Sequence, residues 1–289
     1  MRRVLIVNPG ASRVTEARLA AVEGVLAPVE VWRTEGPGHG VELAREAGAA
    51  TVFVLGGDGT FNEVLNGCDP GATLGFLPAG GTNVLPRALG LPADPVAAAR
   101  ALAGGVPRRI SLGRVNGRRF GFASGIGLDA ELLRRAGRTR RGRRRSDLGV
   151  VAEALRILAE RRGRFEPALE IRGHGEAAFA LVANAEPYTY VGGTAIRVTR
   201  GAAFELGLDF VAPNRLRLRD YPSALRYLAS GGGRLDLVRG HDIDCIEVAC
   251  REPMPLQADG EDLGDVTDAV FEAERDAVAV LVSGTFAPG

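Results

Sequence analysis

The sequence predicts a two-lobed protein with an α/β N-terminal lobe and a mainly-β C-terminal lobe. In the first third of the 289 residues, short apolar runs alternate with helical patterns, which is typical of a parallel sheet flanked by helices. From about residue 110, many short apolar runs are separated by Gly, Pro, Asn and Asp, which predicts a β-sandwich or barrel. We therefore place the lobes at 1–108 and 109–283 and expect ligands to bind between them.

The first lobe is predicted as strands that alternate with helices. Apolar runs predict strands over 3–7, 29–32, 51–55 and 73–80. Helical spacing follows over 15–27, 38–49, 61–67 and 94–105. Asp94 and Gly104 have the residue types expected for the N-cap and the C-cap of the last of these helices.

The second lobe is predicted as a series of short strands interrupted by two helical regions. The helical regions are 126–136 together with 147–162, and 221–229. The strand runs include "AAFALVANA", "LGLDFVAP" and "AVAVLVSG".

Composition is that of a globular protein rather than a disordered one, with 46% hydrophobic and 25% charged residues. No apolar run approaches the ~20 residues that cross a bilayer. Three cysteines without metal-ligand spacing indicate a reducing cytoplasm, and we expect Cys245 and Cys250 to be buried in a strand. The net charge is +1 and every basic residue is arginine, so phosphate contacts would come from arginine or from backbone N–H groups.

A glycine loop follows the strand at 51–55, in "VLGGDGTFNEVLNG". Its glycines Gly56, Gly57 and Gly59 precede a helix, whose N-terminus carries roughly half a positive charge and can bind phosphate without a lysine. The alternative is a tight turn in which Asp58 caps the helix. The loop alone leaves both interpretations open.

Two further turns are expected at the same edge of the sheet. "LPAGGTN" ends the strand at 73–80, and "NPGAS" follows the first strand and offers the side chains of Asn8 and Ser12. Because the carboxyl ends of parallel strands share one edge, where ligands bind in open α/β sheets, the turns support a binding site together.

An acidic cluster lies late in the second lobe, in "QADGEDLGD". It comprises Asp259, Glu261, Asp262 and Asp265. Asp-Gly also favours an ordinary hairpin turn, which is the preferred interpretation of the segment in isolation. Together with the phosphate-binding turns, the acidic cluster also fits a catalytic role, because phosphoryl transfer uses Mg²⁺ and a group that orients the attacking hydroxyl.

Together these motifs resemble the diacylglycerol kinase catalytic-domain family, which includes bacterial diacylglycerol kinases, sphingosine kinases and ceramide kinases. The resemblance is carried by "GGDGTFNEV", by "PAGGTN" at 78–83 and by "DGE", and it is extended by "VNP", Arg33-Thr34 and "NAEPYTYVGG". It implies an N-terminal nucleotide lobe and a β-sandwich lobe that holds a lipid, with the C-terminal tail, here 284–289, returning to the first lobe.

The resemblance implies ATP and Mg²⁺ as cofactors and assigns roles to individual residues. Glu261 matches the residue regarded as the catalytic base, and Asp58 matches an acid near Mg²⁺ and the attacking hydroxyl; the sequence does not decide which of them takes the proton. The implied ATP contacts are Asn8, Ser12, Thr34, Gly56, Gly57, Asp58, Gly59, Thr60, Asn62, Glu63, Gly80, Gly81, Thr82, Asn83 and Asp259.

The chain departs from the family pattern at several places, two of which affect an expected phosphate contact and an expected metal site. Gly81 stands where the family has threonine, with Thr82 beside it. Bacterial members also hold a structural Mg²⁺ near "DG-x-x-D", where this chain has Glu205 in place of the aspartate. Ala202 and Gly207 could supply only backbone carbonyls. Because Mg²⁺ tolerates distortion poorly, the longer carboxylate weakens this expected site.

Eight arginines lie within "RRAGRTRRGRRRSD" at 134–147. Such a run is most often a solvated loop. No aromatic residues are interleaved for base stacking, so we expect no nucleic-acid partner. Since anionic lipid attracts basic segments by about 1 kcal/mol per arginine, we expect the run from Arg134 to Arg145 to dock on anionic membranes.

The three histidines are expected to be exposed turn residues.

The sequence therefore predicts an ATP-dependent lipid kinase that acts on a neutral lipid, diacylglycerol first. We expect a cytoplasmic, peripherally membrane-associated enzyme, and an edge strand of the second lobe offers a route to a homodimer. The alternatives are an NAD kinase-like enzyme, since the GGDG turn is shared with NAD kinases, and a degenerate lipid- or nucleotide-binding protein without activity.

Overall fold

The computed structural model of the chain describes residues 2–137, 147–191 and 193–284. Its contacts divide the chain into two compact units. Unit 1 comprises Met1–Leu112, Ala203–Glu205 and Glu274–Gly289, and unit 2 comprises Gly113–Ala202 and Leu206–Ala273. Most of the arginine run and the tail from residue 285 lie outside the described residues.

Unit 1 contains strands that alternate with helices, as predicted. Its elements are β1 (Arg3–Val7), α1 (Glu16–Leu26), β2 (Glu30–Arg33), α2 (His39–Ala47), β3 (Thr51–Gly56), α3 (Asp58–Gly67), β4 (Thr73–Pro78), α4 (Val84–Ala88), α5 (Pro95–Ala103) and the first part of β5 (Val106–Val115).

The sheet of unit 1 is parallel, with β1 between β2 and β3 and with β4 beyond β3. Strands β1, β3 and β4 are almost continuously buried, because helices cover parallel sheets on both faces, whereas β2 at the edge of the sheet is half-buried or exposed. Helices α1 and α5 begin at side-chain caps: Thr15 accepts from the Arg18 N–H group, and Asp94 accepts from the N–H groups of Val96 and Ala97. The predicted cap at Asp94 is confirmed.

Unit 2 is mainly antiparallel. Its elements are the end of β5, then β6 (Arg118–Phe120), β7 (Ala123–Ile126), α6 (Leu128–Gly137), α7 (Asp147–Glu160), β8 (Leu169–Ile171), β9 (Gly175–Ala177), β10 (Ala180–Ala183), β11 (Thr189–Val191), β12 (Thr194–Ile196), β13 (Leu208–Pro213), α8 (Tyr221–Ser230), β14 (Leu237–Ile243), β15 (Cys245–Ala258) and β16 (Glu261–Val282).

The sheet of unit 2 runs in the order β14, β13, β10, β7, β15, and β15 also pairs with β8 and β16. A short 3-10 helix at Leu218–Asp220 leads into α8. One apolar core holds the sheet together, with Phe120, Phe210 and Phe271 among its fully buried side chains. The predicted fold class, an α/β lobe followed by a strand-rich lobe, is confirmed.

Three segments of the predicted second lobe lie in unit 1, the first being residues 109–112 beside the predicted boundary. The end of β16 pairs in parallel with β4, with Ala279 opposite Thr73 and Val280 opposite Leu74. Ala203–Glu205 belongs to unit 1 as well. An apolar strand such as "AVAVLV" is compatible with either sheet, so its pairing partner could not be read from its pattern.

Two local expectations need correction. Cys245 is exposed and Cys250 is half-buried, whereas Cys68 is buried. Burial raises the pKa of the Cys250 thiol to about 11.

Among the described residues, no helix combines the length and the hydrophobicity that crossing a bilayer requires.

Candidate active site

Three turns meet at the carboxyl edge of the parallel sheet in unit 1. The N–H group of Asn8 donates to the Leu55 carbonyl at 3.0 Å, and that of Ala79 donates to the Gly56 carbonyl at 2.7 Å. The N–H group of Arg13 donates to the Ala79 carbonyl at 2.9 Å. The turns after β1, β3 and β4 are therefore joined into one surface, as the shared edge of the strands predicted.

Two glycines of these turns touch through their backbones. A Cβ atom on Gly80 would lie 2.6 Å from the Cα atom of Gly57, closer than real contacts allow. Gly59 and Gly81 behave differently: both are exposed, and a Cβ atom on either would meet nothing within 4 Å. Gly57 and Gly80 thus pack backbone against backbone where the turns meet, and the backbone of Gly59 and Gly81 is exposed beside this contact.

The N-terminus of α3 points its N–H groups into this edge. Gly57 occupies the N-cap position and, as a glycine, has no side chain that could cap the helix. Thr60, in the first turn, is buried, and its Oγ1 accepts from Asn8 Nδ2 at 2.9 Å. Asn8 Oδ1 in turn accepts from the Gly10 N–H group at 2.9 Å. A helix N-terminus with a rigid neighbouring turn can bind a phosphate group.

Asp58 is buried, and its carboxylate faces another helix. Its Oδ1 accepts from the Val84 N–H group at 2.7 Å, at the N-terminus of α4. A carboxylate at this position satisfies a helix N–H group and interacts favourably with the helix dipole. Asp58 therefore holds the second glycine turn against the first, and its role toward a metal or a hydroxyl stays a prediction.

We expect Asp58→Ala to destabilise unit 1 by about 1–3 kcal/mol, because it leaves the Val84 N–H group without its carboxylate acceptor. Urea unfolding of the purified variant measures the change. Asp69→Ala is the control, since Asp69 also accepts from a turn N–H group, that of Gly71, but is exposed. Equal stability of Asp58→Ala and wild type would contradict the capping role.

Two other predicted ATP contacts also hold the turns in place. Asn83 is buried with φ 51°, and its side chain accepts from the Gly80 N–H group at 2.9 Å and donates to the Gly80 carbonyl at 2.8 Å. The Glu63 carboxylate accepts from the N–H groups of Gly38 and Gly40, both at 2.9 Å, where α2 begins. These contacts shape the edge whether or not the same side chains touch a nucleotide.

The remaining predicted contacts of unit 1 lie in or beside the same turns. Thr34 follows β2 and is buried, and its N–H group donates to the Val7 carbonyl at 2.9 Å. Ser12 is exposed and Thr82 is half-buried. Asn62 is buried within α3 and receives a hydrogen bond from Asn66 at 3.1 Å. Gly56 could not carry a side chain, because a Cβ atom would lie 2.7 Å from Thr60 Cβ.

In unit 2, the carboxylate of Asp259 is hydrogen-bonded to backbone N–H groups. Its carboxylate accepts from the N–H groups of Gly121 at 2.6 Å, Phe122 at 3.0 Å and Ala123 at 3.2 Å. The residue is buried and has φ 48°, at the turn between β15 and β16. Asp259 therefore ties this turn to the segment before β7, a role that the hairpin pattern did not reveal.

Glu261 begins β16 and forms an ion pair with Arg118 of β6. Its side chain is 49% exposed, so the predicted base is accessible on unit 2. The neighbouring acids are also paired: Arg134 donates to both carboxylate oxygens of Asp262, at 2.7 and 2.8 Å, and to Asp265 at 2.6 Å. These two carboxylates raise the pKa of Arg134. The acidic cluster is thus a network of ion pairs rather than a bare carboxylate patch.

A buried polar network beneath this turn was not predicted from the sequence. The Tyr188 hydroxyl donates to Asp129 Oδ2 at 2.7 Å, and Gln257 Nε2 donates to the same oxygen at 2.6 Å. Gln257 Oε1 then accepts from the Gly260 N–H group at 2.9 Å, in the turn that precedes Glu261. Burial raises the pKa of Asp129 and, together with the Asp129 charge, that of Tyr188.

The network could not be found by spacing, because its members lie far apart in the chain. Asp129 and Gln257 are separated by 128 residues, and Asp129 and Tyr188 by 59. The available signal was an acidic residue directly after a glycine-rich strand, in "GIGLDAEL". The contacts give the network a structural effect: it fixes the backbone on which Glu261 is carried.

The segment expected to hold a structural Mg²⁺ does not fit such an ion. In unit 1, the Glu205 carboxylate is paired with the guanidinium of Arg108. In unit 2, the Gly207 N–H group donates to Asp242 Oδ1 at 2.7 Å. No group of three or more His, Cys, Asp or Glu side chains in the described part of the chain could hold a metal ion.

His241 does not lie in a turn, contrary to expectation. It belongs to β14, and its Nδ1 lies 2.9 Å from Oδ1 of Asp209, a carboxylate that is 1% exposed. The Asp242 N–H group donates to the same Asp209 oxygen at 3.0 Å. The hydrogen bond and the negative charge of Asp209 raise the pKa of His241 above its ordinary value.

The His241–Asp209 pair should give a pH-dependent stability of defined sign. Because the folded-state pKa is raised, the stabilisation is complete below the unfolded-state pKa of about 6.5 and is lost as pH rises through the folded pKa. NMR titration of His241 should report a pKa above 6.5. In Asp209→Asn the value should fall, and an unchanged value there would contradict the pairing.

Comparison with known proteins agrees with this geometry. Residues 2–115 match the model of the diacylglycerol kinase catalytic domain. The chain is 41% identical over 102 residues to a diacylglycerol kinase of Bacillus subtilis, a match that covers 33% of this chain and 34% of that protein. It is 47% identical over 83 residues to a "Probable lipid kinase YegS-like" of Pseudomonas aeruginosa, covering 28% and 27%. The matches thus span about a third of these relatives or less.

The fold is similar over the whole chain to a solved structure of a diacylglycerol kinase from Bacillus anthracis. The TM-score is 0.74 at 19% identity, and the match covers 99% of this chain and 98% of that one. At this identity the likeness shows the fold. Residues 2–115, with their parallel sheet and joined glycine turns, match the diacylglycerol kinase catalytic-domain family. Over these residues the resemblance found in the sequence is confirmed.

Proposed function

We propose that the chain is an ATP-dependent lipid kinase that transfers the γ-phosphate of ATP to the hydroxyl of a neutral lipid, diacylglycerol first. The observation that carries the proposal is the pair of joined glycine turns in unit 1. Gly57 and Gly80 pack against each other there, and the exposed backbone of Gly59 and Gly81 lies beside the N-terminus of α3. The named activities of the relatives point to the same reaction.

In this proposal the phosphates of ATP bind the N–H groups of the turns. The partial charge at the N-terminus of α3 attracts the phosphates, and no lysine is required. The buried contacts of Asp58 with Val84 and of Asn83 with Gly80 fix these N–H groups before the nucleotide arrives. A rigid array of donors stabilises charge in the transition state without reorganising during the reaction.

Glu261 is the proposed base of the reaction. Its carboxylate would orient the lipid hydroxyl and accept its proton, while the hydroxyl oxygen bonds to the γ-phosphorus and the bond to ADP breaks. Arg118 holds the carboxylate by its ion pair, and Asp129, Tyr188 and Gln257 hold the turn beneath it. Mg²⁺, bound with the nucleotide, would neutralise phosphate charge.

The two alternative functions have less support. An NAD kinase-like site would use Asn184 of "ANAEP", yet this residue is fully buried and its amide donates to the Gly121 carbonyl at 2.9 Å. A degenerate protein is suggested by Gly81 in place of threonine. However, Gly81 lies in a turn whose backbone is ordered by Asn83, and backbone N–H groups can bind phosphate without that hydroxyl.

The test is a panel of acceptors offered with radiolabelled ATP. Diacylglycerol, ceramide, sphingosine and NAD would each be incubated with the purified chain. We expect label in phosphatidic acid. Label in NADP would establish the NAD kinase-like alternative, and the absence of any labelled product would favour the degenerate binding protein.

The location of the enzyme also belongs to this proposal. We propose that it works at the cytoplasmic face of a membrane, since diacylglycerol lies in the bilayer. In the arginine run expected to dock there, Arg134 is paired with Asp262 and Asp265, and Arg135 with Glu131 and Glu160. The rest of that run, from 138, lies outside the described residues.

A further inference from the structure

Exposed apolar side chains are concentrated on two helical segments of unit 2. Leu218 is 70% exposed and Leu225 68%, and Leu228 is partly exposed on the same segment. On α7, Leu155 is 60% exposed and Val151 is partly exposed. Of the seven large apolar residues exposed in the described part of the chain, these are five. The clustering separates them from the scattered exposed residues that any protein surface carries.

Three exposed residues of α8 form one stripe. Pro222, Leu225 and Ala229 are exposed and follow one another at intervals of three and four residues, which places them on one face of the helix. Leu218, exposed in the short 3-10 helix that leads into α8, precedes Pro222 by four residues. The other face is packed: Tyr227 is buried, and its hydroxyl donates to the Val198 carbonyl at 2.6 Å. The helix is thus held on its inner face while an apolar face points outward.

The stripe adjoins the end of α7 and a basic cavity. Leu218 lies against Gly163, which follows α7, because a Cβ atom there would be 2.5 Å from Leu218 Cδ2. A cavity of about 310 Å³ opens at this point, lined by Arg164, Glu166, Arg217, Leu218 and Arg219. Glu166 lies 3.6 Å from Arg217 and offsets one of the three guanidinium charges. The exposed leucines are therefore bordered by net positive charge.

We propose that this surface, formed by Leu218 and Leu225 with the arginine-lined cavity, docks unit 2 on an anionic membrane. The leucines would enter the headgroup and acyl boundary, and the arginines would contact lipid phosphates. The choice of a bilayer rests on the proposed function, since the acceptor lipid lies in one. A second copy of the chain is a poorer occupant, because a two-fold interface would bring the arginine cavity of each copy toward its like-charged counterpart.

The proposed surface shares no residues with the arginine run from Arg134 to Arg145. Arg164 and Arg219 lie beside the leucines, whereas Arg134 and Arg135 are held in ion pairs with acidic side chains. Arg219 lies 3.7 Å from Asp220, with a side chain that is 79% exposed, so its pairing is weak. Both apolar insertion and phosphate contact should therefore contribute to binding.

The experiment is sedimentation with vesicles in the absence of ATP. Vesicles of phosphatidylcholine containing one third phosphatidylglycerol are compared with vesicles of phosphatidylcholine alone. The variant Leu218→Gln with Leu225→Gln should bind the anionic vesicles at least about tenfold more weakly than wild type, since each inserted leucine contributes to the partition. Val106→Gln is the matched control, because Val106 is 52% exposed but lies in unit 1.

A second variant tests the charge. Arg164→Gln with Arg219→Gln should lower the preference for anionic vesicles and the sensitivity to salt, whereas Arg45→Gln, exposed on α2, should leave both unchanged. Circular dichroism melting should show wild-type folding, since all the exchanged side chains are exposed. Leu155→Gln supplies an independent site on α7.

Three outcomes would overturn the proposal. They are wild-type vesicle binding by the leucine variant, equal binding of wild type to neutral and anionic vesicles, and a wild-type dimer that Leu225→Gln dissociates without any change in vesicle binding. Because binding is measured without ATP, a chain that docks through these leucines but phosphorylates no lipid would support this inference and refute the proposed function. A chain that phosphorylates soluble short-chain diacylglycerol but never binds vesicles would support the proposed function and refute this inference.

Discussion

Glu261→Gln is expected to lower kcat for lipid phosphorylation by about 10²- to 10⁴-fold, the range that a positioned general base contributes. The substitution keeps the size of the side chain but removes the carboxylate that would take the proton. ATP binding should change little, because the glycine turns belong to unit 1 and Glu261 to unit 2. Steady-state kinetics with saturating ATP and diacylglycerol, next to fluorescent ATP binding, measure both effects.

The matched control is Glu272→Gln. Glu272 is exposed on the same strand, β16, and should tolerate the change with wild-type kcat. Arg118→Gln distinguishes the loss of the Glu261 carboxylate from the loss of its ion pair, since it removes the pair with Arg118 but leaves the Glu261 carboxylate in place. If Glu261→Gln retained more than half of the wild-type kcat, Glu261 would not be the base, and Asp58 would become the candidate.

Gly80→Ala should have the largest effect on the nucleotide site. A Cβ atom would lie 2.6 Å from the Cα atom of Gly57 and 3.0 Å from Asn83 Oδ1, and backbone cannot move aside as a flexible side chain can. Overpacking of this kind costs about 1–3 kcal/mol. The two turns would be forced apart, so we expect both lower stability in urea unfolding and a loss of ATP binding.

Gly81→Ala is the comparison that isolates binding from folding. A Cβ atom on Gly81 meets nothing within 4 Å, so stability should stay within about 0.5 kcal/mol of wild type. Any rise in KM for ATP would then report contact between the nucleotide and this exposed backbone. Gly80→Ala with wild-type stability and ATP affinity would mean that the close approach of Gly57 and Gly80 has no bearing on the site.

The sequence was informative where chemistry is local. Asp94 caps its helix through N–H groups two and three residues away, and the apolar runs of β1, β3 and β4 indicate burial by composition alone. The glycine turns were also recognisable, because each directly follows a strand. Their convergence followed from the geometry of parallel sheets rather than from any further residue pattern.

What the sequence did not reveal depends on partners that are distant in the chain. Asp58 and Val84 are separated by 26 residues, and Asp259 and Gly121 by 138. Nothing near Asp259 indicates that its carboxylate would be satisfied by three backbone N–H groups. The same holds for Arg108, which pairs with Glu205, the residue expected as a metal ligand. Tertiary contacts decide whether a carboxylate is a ligand, a cap or half of an ion pair.

Asp58 illustrates how the two kinds of evidence combine. The family resemblance gives it a place near the reacting hydroxyl, and the structure gives it a hydrogen bond to the N-terminus of α4. Asp58→Asn keeps an acceptor oxygen for Val84 but removes the charge. Loss of activity at near-wild-type stability would therefore assign Asp58 a role beyond that of the cap.

A single-turnover reaction tests the central claim most directly. The chain is held in excess over γ-labelled ATP, with diacylglycerol in anionic vesicles, and the labelled species is identified after quenching. We expect nearly all of the label to pass to phosphatidic acid with wild type and almost none with Glu261→Gln. Label that stays in ATP, or that appears only as inorganic phosphate with wild type, would contradict the assignment of this chain as a lipid kinase.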